Sequence, residues 1–443
     1  LQVRADKLPM MNLKEFATYQ NQLYKEGFLP NIDQAYLDPS LLGSGTDWQD
    51  AVTDDAWMQS HNLSMTGGNE KTQHAISLGY TSQDGILLTS DFERFTARMN
   101  IDNEFNKYIK VGASLSYSRT DESIINNDGI NGVVMQAALM SPSVPVYDFD
   151  GNYAGPETVN GSSIYNPVAL TKDQSNTLLR ERIMGNTYAQ VTFNPNLNFR
   201  TEFGMDRSQN TNKGFKPSYE YGQLKNTDIM IMQREEQSLY WVWKNYVTYN
   251  KSFNKHSVNV MAGSETSQSS WEGTQLQKNQ LSSNLIHVIG ADGKFTSNSG
   301  WKDKATNVSF FGRANYNFDN RYLLTATIRA DASSKFGDNN RWGYFPSFAA
   351  AWRINEENFM ESTQNWLSNM KLRLGYGQVG NSNIGTYLYG STMMAFTSAF
   401  GTAYRMSNNA NPDLKWEASE EFNVGLDLGL FLNRVDLAVA GYD

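Results

Sequence analysis

The sequence predicts an all-β protein, an antiparallel up-and-down transmembrane β-barrel in which about fourteen strands are present. Three observations carry that expectation. From about Trp57 onward the chain is a succession of segments that alternate apolar with polar or small residues, a period of two that gives a strand two unlike faces. The polar faces carry Arg and Asp residues, which a dry core does not accept unpaired, so the polar side faces water and the apolar side faces something else. The connections also sort by length. Short ones fall at residues 67–70, 103–107, 194–196, 252–255, 319–321 and 432–433, and long ones at about 120–180, 209–237, 266–304 and 381–415. Short turns at one end, long loops at the other, and crossing segments of about ten residues are the pattern of an outer-membrane barrel. One connection, 355–369, departs from the rule by being long on the short-turn side.

Taken in order, residues 1–55 differ from the rest and read as an extracellular loop region carrying one short helix. Leu13, Phe16, Ala17, Leu23 and Tyr24 share a helical face, with Asn12 as its N-cap and Gly27 as its stop. Residues 56–443 are the incomplete barrel. Its first stripes are Ile76, Leu78 and Tyr80, then Phe95, Ala97, Met99 and Ile101, then Val111, Ala113, Leu115 and Tyr117. Later stripes run through Leu197, Phe199 and Phe203, through Val308, Phe310 and Ala314, and through Phe422, Val424, Leu426 and Leu428. The clearest pair is 322–354. There Leu324, Ala326, Ile328 and Ala330 alternate with Thr325, Thr327, Arg329 and Asp331, a polar loop follows, and Phe348, Ala350 and Trp352 alternate with Ala349, Ala351 and Arg353. Aromatic residues near strand ends (Tyr80, Trp241, Trp243, Trp352, Trp416) suit interfacial girdles, or the core of a large β-protein.

Composition narrows the function. The net charge of −9, from 37 basic and 46 acidic residues, argues against nucleic-acid binding. There is no cysteine, hence no thiolate metal site and no thiol nucleophile. No run of 18 apolar residues occurs, which excludes helical spans, and a mean hydropathy of −0.54 is compatible with a barrel that shows lipid only every second residue.

The chemical motifs are weak. Gly375-Tyr-Gly-Gln-Val-Gly380 matches a dinucleotide fingerprint, but a loop rather than a helix follows it, so the glycines read as small residues on the inner face of a strand. Asp148-Phe-Asp-Gly-Asn152 starts like a calcium loop but has Tyr153 and Val159 where a glycine and a bidentate glutamate belong, and a tight turn at Asp150-Gly151 is the better reading. His61, His74, His256 and His287 show no ligand spacing. No acid, base and nucleophile converge, so no enzyme, metal or cofactor is expected. What remains is a polar wall. Arg313, Arg329, Asp331, Arg353, Lys371, Arg373 and Asp427 point inward on the alternation, either pairing across strands or touching a solute. Trp271, Trp301, Trp342 and Tyr344 read as loop aromatics able to stack on sugar rings, or to pack against a covering lid or against other loops.

The stretch YLLTATIRADASSKFGDNNRWGYFPSFAAAWRINEENFM (322–360) closely resembles a signature of the SusC/RagA-type TonB-dependent outer-membrane transporters. So do HNLSMTGGNEKTQHAISLGYTSQDGI (61–86), PVYDFDGNYAG (145–155), MKLRLGYGQVGNSNIG (370–385) and NPDLKWEASEEFNVGLDLGLF (411–431), in the family's order and across nearly the whole chain. The resemblance implies a 22-stranded barrel closed by an N-terminal plug and uptake driven by the TonB–ExbB–ExbD complex. It also implies a SusD-like lipoprotein lid over the long loops and an oligosaccharide or oligopeptide cargo. Signal peptide, TonB box, plug and C-terminal closing strand are not seen, so the chain reads as an internal barrel segment. The rival readings are a passive or structural outer-membrane barrel, such as a pore or adhesin scaffold, and a soluble glycan-binding β-protein.

Overall fold

A computed structural model describes the chain except residues 5, 128, 156–163 and 364. One fourteen-stranded antiparallel sheet dominates it. In chain order the strands are β1 (Met58–Gly68), β2 (Thr72–Asp84), β3 (Asp91–Asn106), β4 (Ile109–Ser123), β5 (Ser175–Asn194), β6 (Leu197–Lys216), the small hairpin β7 (Tyr219–Tyr221) and β8 (Leu224–Asn226), then β9 (Met230–Phe253), β10 (His256–Asn279) and β11 (Lys294–Phe318). They continue with β12 (Tyr322–Ser333), β13 (Trp342–Arg353), β14 (Leu367–Asn381), a second hairpin β15 (Met393–Ser398) and β16 (Gly401–Met406), and end with β17 (Glu417–Leu430) and β18 (Val435–Tyr442). The two hairpins stand outside the main sheet, in which every other strand pairs with its sequence neighbour, and β1 and β18 are its two edges. Among the described residues no helix is long and apolar enough to cross a membrane.

The register carries single rows of side chains across many strands. Phe253, His256, Phe318, Tyr322 and Trp352 lie on one such row, on the apolar face at the short-turn end. Their rings form a chain, with centroids 4.9 Å apart for Phe253–His256 and His256–Phe318, 6.2 Å for Phe318–Tyr322 and 6.3 Å for Tyr322–Trp352. Glu357, in the connection after β13, fastens this belt by accepting from Tyr322 Oη at 2.6 Å and Trp352 Nε1 at 3.0 Å. A second aromatic level on the same face runs through Phe203 and Trp243 on β6 and β9 and reaches Trp342 on β13. Between the two levels stand exposed Val247, Phe310, Ile328 and Phe348. An apolar band bounded by two aromatic girdles is what a lipid-exposed barrel wall presents.

The strands are longer than the sequence alternation indicates. β5 and β6 have 20 residues, β9 and β10 have 24, and β11 has 25, where about ten suffice to cross a bilayer. Their upper halves, such as Ser267–Asn279 and Lys294–Ala305, are polar on both faces. No apolar period marks them, although cross-strand hydrogen bonds continue. The connections expected at 120–180, 209–237 and 266–304 therefore shrink to residues 124–174, 217–229 and 280–293.

Burial is concentrated above the sheet. Residues 1–57 pack on the loop 124–174 through Trp48, Val52, Val133, Ala137, Met140 and Val168. A fully buried aliphatic or aromatic side chain contributes about 1.5–3 kcal/mol, and polar ties fix the register of this unit. Trp48 Nε1 donates to the Ser141 carbonyl at 2.9 Å, and Asn166, which has no solvent exposure, donates to the carbonyls of Val146 and Ala154 at 3.0 and 2.8 Å. Helix α1 (Leu13–Lys25) begins at Asn12 in a capping box, Asn12 accepting from the Glu15 amide and Glu15 from that of Asn12. It stops before Gly27, whose φ of +80° suits a residue without a Cβ. The Asp148–Asn152 segment is a turn. The Asp148 carboxylate accepts from the amides of Asp150 and Asn152, and Gly151 takes φ of +84°.

Candidate functional site on the polar face

The register puts Arg313, Arg329, Asp331, Arg353, Lys371, Arg373 and Asp427 on one face, opposite the aromatic girdles. Strand geometry alone does this, since a partner directly across a ladder shares the face and so does every second residue along a strand. Arg329 is the hub. It donates to Asp331 at 2.7 Å, to Glu265 at 3.1 Å and to Ser309 at 2.9 Å, and Glu265 also pairs with Lys244 at 3.2 Å. Arg373 grips Asp427 with two bonds of 2.8 and 2.7 Å, and Lys371 stands 3.7 Å from the same carboxylate. Among the described residues Arg313 bonds only Asn315, at 3.3 Å, and no carboxylate lies within ion-pair distance of Arg313 or Arg353. Gly375 and Gly377 of the glycine-rich run share this face. At Gly380 a Cβ would fall 2.0 Å from the ring of Phe345, which pairs with Arg329 on this same face, so the run packs its small residues against the inner wall.

The four aromatics expected in loops all lie in strands. Trp271 is on β10, Trp301 on β11, and Trp342 and Tyr344 on β13. They were misplaced because the polar upper halves of β10 and β11 hide the period of two, and because β13 starts at Trp342 itself. The register then divides them. Trp342 and Tyr344 share the outer face with Phe348, and Trp342 stacks on Phe310 with centroids 6.1 Å apart, so they belong to the girdle. Trp271 pairs with Ser238 and Trp301 with Gly273, which places both on the polar face. Trp416 departs from the girdle as well. It lies between Phe336 and Phe345 and donates to the Arg341 carbonyl at 2.9 Å, as a loop core residue.

Beside the two indoles, the upper polar face of β4, β5, β6 and β9 forms a recess of about 710 Å³. Ser118, Ser208, Asn210, Asn212 and Ser238 supply neutral donors and acceptors, Glu181 accepts from Tyr117 Oη at 2.9 Å, and the arginines are each paired with a carboxylate. Arg182 holds Asp206 through a bond of 2.8 Å and a second, shorter one; Arg234 holds Glu236 at 2.6 Å; Arg180 faces Glu122 at 3.4 Å. Toward β10 and β11 the sheet wall beside the recess is aromatic, although neither indole is among the residues that line it. Trp271 and Trp301 have centroids 5.4 Å apart, the Arg234 guanidinium lies 4.9 Å from the Trp301 ring, and Trp271 is 45% exposed. Gly273 makes this wall possible, because a Cβ there would come within 2.6 Å of the Trp301 ring. Higher up, Tyr147, Tyr153, Tyr165, Tyr219 and Tyr221 form a chain of ring contacts that joins the loop 124–174 to the β7–β8 hairpin. Burial pushes the Tyr153 phenol up to about 12, and burial together with the bond to Asp173 holds Tyr221 far above the ordinary tyrosine range, so both stay neutral.

The recess residues escaped the sequence reading because they sit in stretches such as SQNTNKG (208–214) where both faces are polar. A signal was present at even positions, where Arg180 and Arg182, then Asp206, Ser208 and Asn210, then Arg234, Glu236 and Ser238 recur at intervals of two.

A wall with lipid-type aromatic girdles outside, polar side chains inside and packed loops above is that of a transmembrane β-barrel. Comparison with known proteins agrees. The chain belongs to the TonB-dependent receptor-like β-barrel family, which it matches over residues 18–443, and it is accordingly an outer-membrane protein of SusC/RagA type. It is 30% identical to TonB-dependent receptor P3 of Formosa agariphila over 98% of this chain and 43% of that protein. It is also 30% identical to TonB-dependent receptor SusC of Bacteroides thetaiotaomicron, over 97% of this chain and 44% of that one. The chain thus spans less than half the length of these relatives. The RagAB peptide importer in its open-open state superposes with a TM-score of 0.81 over 98% of this chain and 51% of that chain, at 24% identity, a likeness of fold.

Proposed function

We propose that the full-length protein imports a neutral oligosaccharide across the outer membrane by TonB-dependent transport. The observation that carries the substrate class is the recess beside Trp271 and Trp301. A half-exposed indole offers a flat apolar surface for the C–H face of a sugar ring, and the Ser and Asn side chains of the adjoining recess donate and accept in the alternating way that hydroxyl groups need. The three arginines of the recess are already matched by carboxylates, and Glu181 adds a further acidic group held by Tyr117, so the wall has no surplus positive charge for an acidic ligand. On this reading a SusD-like lipoprotein closes over the loop unit of residues 1–57 and 124–174. The TonB–ExbB–ExbD complex acts through a plug, and the Arg329 and Arg373 networks line the path below. The protein performs no chemistry on its cargo. The kinship to SusC and the RagAB-like fold support the partners.

An oligopeptide cargo is the second reading. It is favoured by a neighbouring recess of about 400 Å³ where Met230, Met232 and Lys216 meet Tyr165, and by the likeness in fold to the RagAB peptide importer. The experiment that decides is binding of two probe sets to the purified full-length receptor with its lid: a panel of neutral and uronate oligosaccharides, and a tryptic digest of casein. Binding of neutral oligosaccharides, weakened by Trp271→Ala, supports the first reading. Binding of peptides alone overturns it in favour of the second.

A further inference from the structure

The lipid-facing side of the sheet is not uniformly convex. On the outer face of β11, β12 and β13, Ala314 pairs with Ala326, and Ala350 pairs with Leu324 one step nearer the short turns. These three alanines floor a trough of about 380 Å³, and Tyr316, Phe348 and Phe422 rise around it. Among the described residues no charged side chain lines it. Its position is fixed by the register. The row containing Ala350 and Leu324 lies immediately above the belt of Phe318, Tyr322 and Trp352, and the row containing Ala314 and Ala326 lies one step higher. The trough therefore opens into the hydrocarbon on the short-turn side, the leaflet nearest the periplasm.

We propose that this trough is a binding site for one acyl chain of a periplasmic-leaflet phospholipid. The occupant must be apolar throughout, must fill a slot between fixed aromatic walls, and must end at the level of the Tyr322–Trp352 belt, where amphipathic rings mark the headgroup boundary. A single hydrocarbon chain entering from that boundary meets all three conditions. An empty slot would leave the alanine floor and ring edges without contact partners, which forfeits dispersion energy along its length. The phospholipid held there would stay with the protein after neighbouring lipids had exchanged. The inference concerns the outer wall alone and stands whatever the cargo.

The test is native mass spectrometry of the full-length receptor extracted in mild detergent, with phosphatidylethanolamine as the probe lipid in titration. Ala326→Phe fills the slot, Ala350→Leu narrows it as a milder change, and Ala97→Phe on the outer face of β3 serves as the control. The expected result is a retained phospholipid adduct in the native protein and in Ala97→Phe, with occupancy lower by about tenfold in Ala326→Phe and intermediate in Ala350→Leu. Equal adducts in all four proteins would overturn the proposal. So would trough variants that leave the adduct intact but turn a dimeric receptor into a monomer, since a second copy would then be the occupant.

Discussion

Ile328 and Thr327 are adjacent on β12 and face opposite ways. Ile328 pairs with Gly312 and Pro346 on the girdle side and is 55% exposed. Thr327 pairs with Arg313 and Ser347 on the polar side. Ile328 stands between the Tyr322 belt and the Ala332–Trp342 row, near the middle of the apolar band. Ile328→Arg therefore places a guanidinium in hydrocarbon, at a cost of about 2–4 kcal/mol for a mid-depth cation on a barrel wall, falling to about 0–1 kcal/mol near either interface. Thr327→Arg puts the same group in a water-lined wall, and its cost should stay within about 1 kcal/mol, with repulsion from Arg313 the main contribution. The assay is the free energy of folding of the full-length barrel into liposomes, measured by denaturant titration of the two variants and the parent. Equal destabilisation by both substitutions, or a larger effect at Thr327, would refute the assignment of faces and with it every statement made about the polar wall.

Other consequences follow from particular contacts. Gly273→Val drives a side chain into the space of the Trp301 ring, and should weaken oligosaccharide binding about as much as Trp271→Ala, by roughly 1–2 kcal/mol for loss of one stacking surface, as read by calorimetry on the full-length receptor. Asn12→Ala removes the α1 cap and should cost about 1 kcal/mol of local stability, visible as faster amide exchange in the first turn while the barrel is unchanged. Glu357 is held below its ordinary value of 4.5 first by the bond from Tyr322 and then by that from Trp352. Its contribution is thus fully present above that ordinary value and is lost as pH falls through the depressed one. Acid titration of belt tryptophan fluorescence should show this step in the parent and none in Glu357→Gln.

Much of the wall was legible in the sequence because a barrel strand inside the bilayer must satisfy lipid on one side and water on the other. Segments such as 322–331 and 346–353 carry both demands in plain alternation. Above the membrane both faces meet water, the contrast disappears, and the upper parts of β9, β10 and β11 looked like loops. The same loss of contrast misplaced Trp271 and Trp301 and hid Arg182, Asp206 and Arg234. Face was recoverable only through the register, which comes from long-range pairing that one sequence does not display. Trp342, Tyr344 and Trp416 make the point from the other side. Their residue type suits a girdle, a sugar platform or a core equally, and only their ladder partners and ring contacts separate the three. The α1 cap was legible throughout, because a capping box is a local device.

The most direct measurement is uptake of a fluorescently labelled neutral oligosaccharide, chosen from the binding panel, by cells that express the full-length protein with its lid. Parent, Trp271→Ala and a strain lacking TonB are compared. Uptake is expected in the parent, with a marked loss in Trp271→Ala at low ligand concentration and none without TonB. Uptake that persists without TonB, and is proportional to concentration in both proteins, would contradict TonB-dependent import and leave a passive pore.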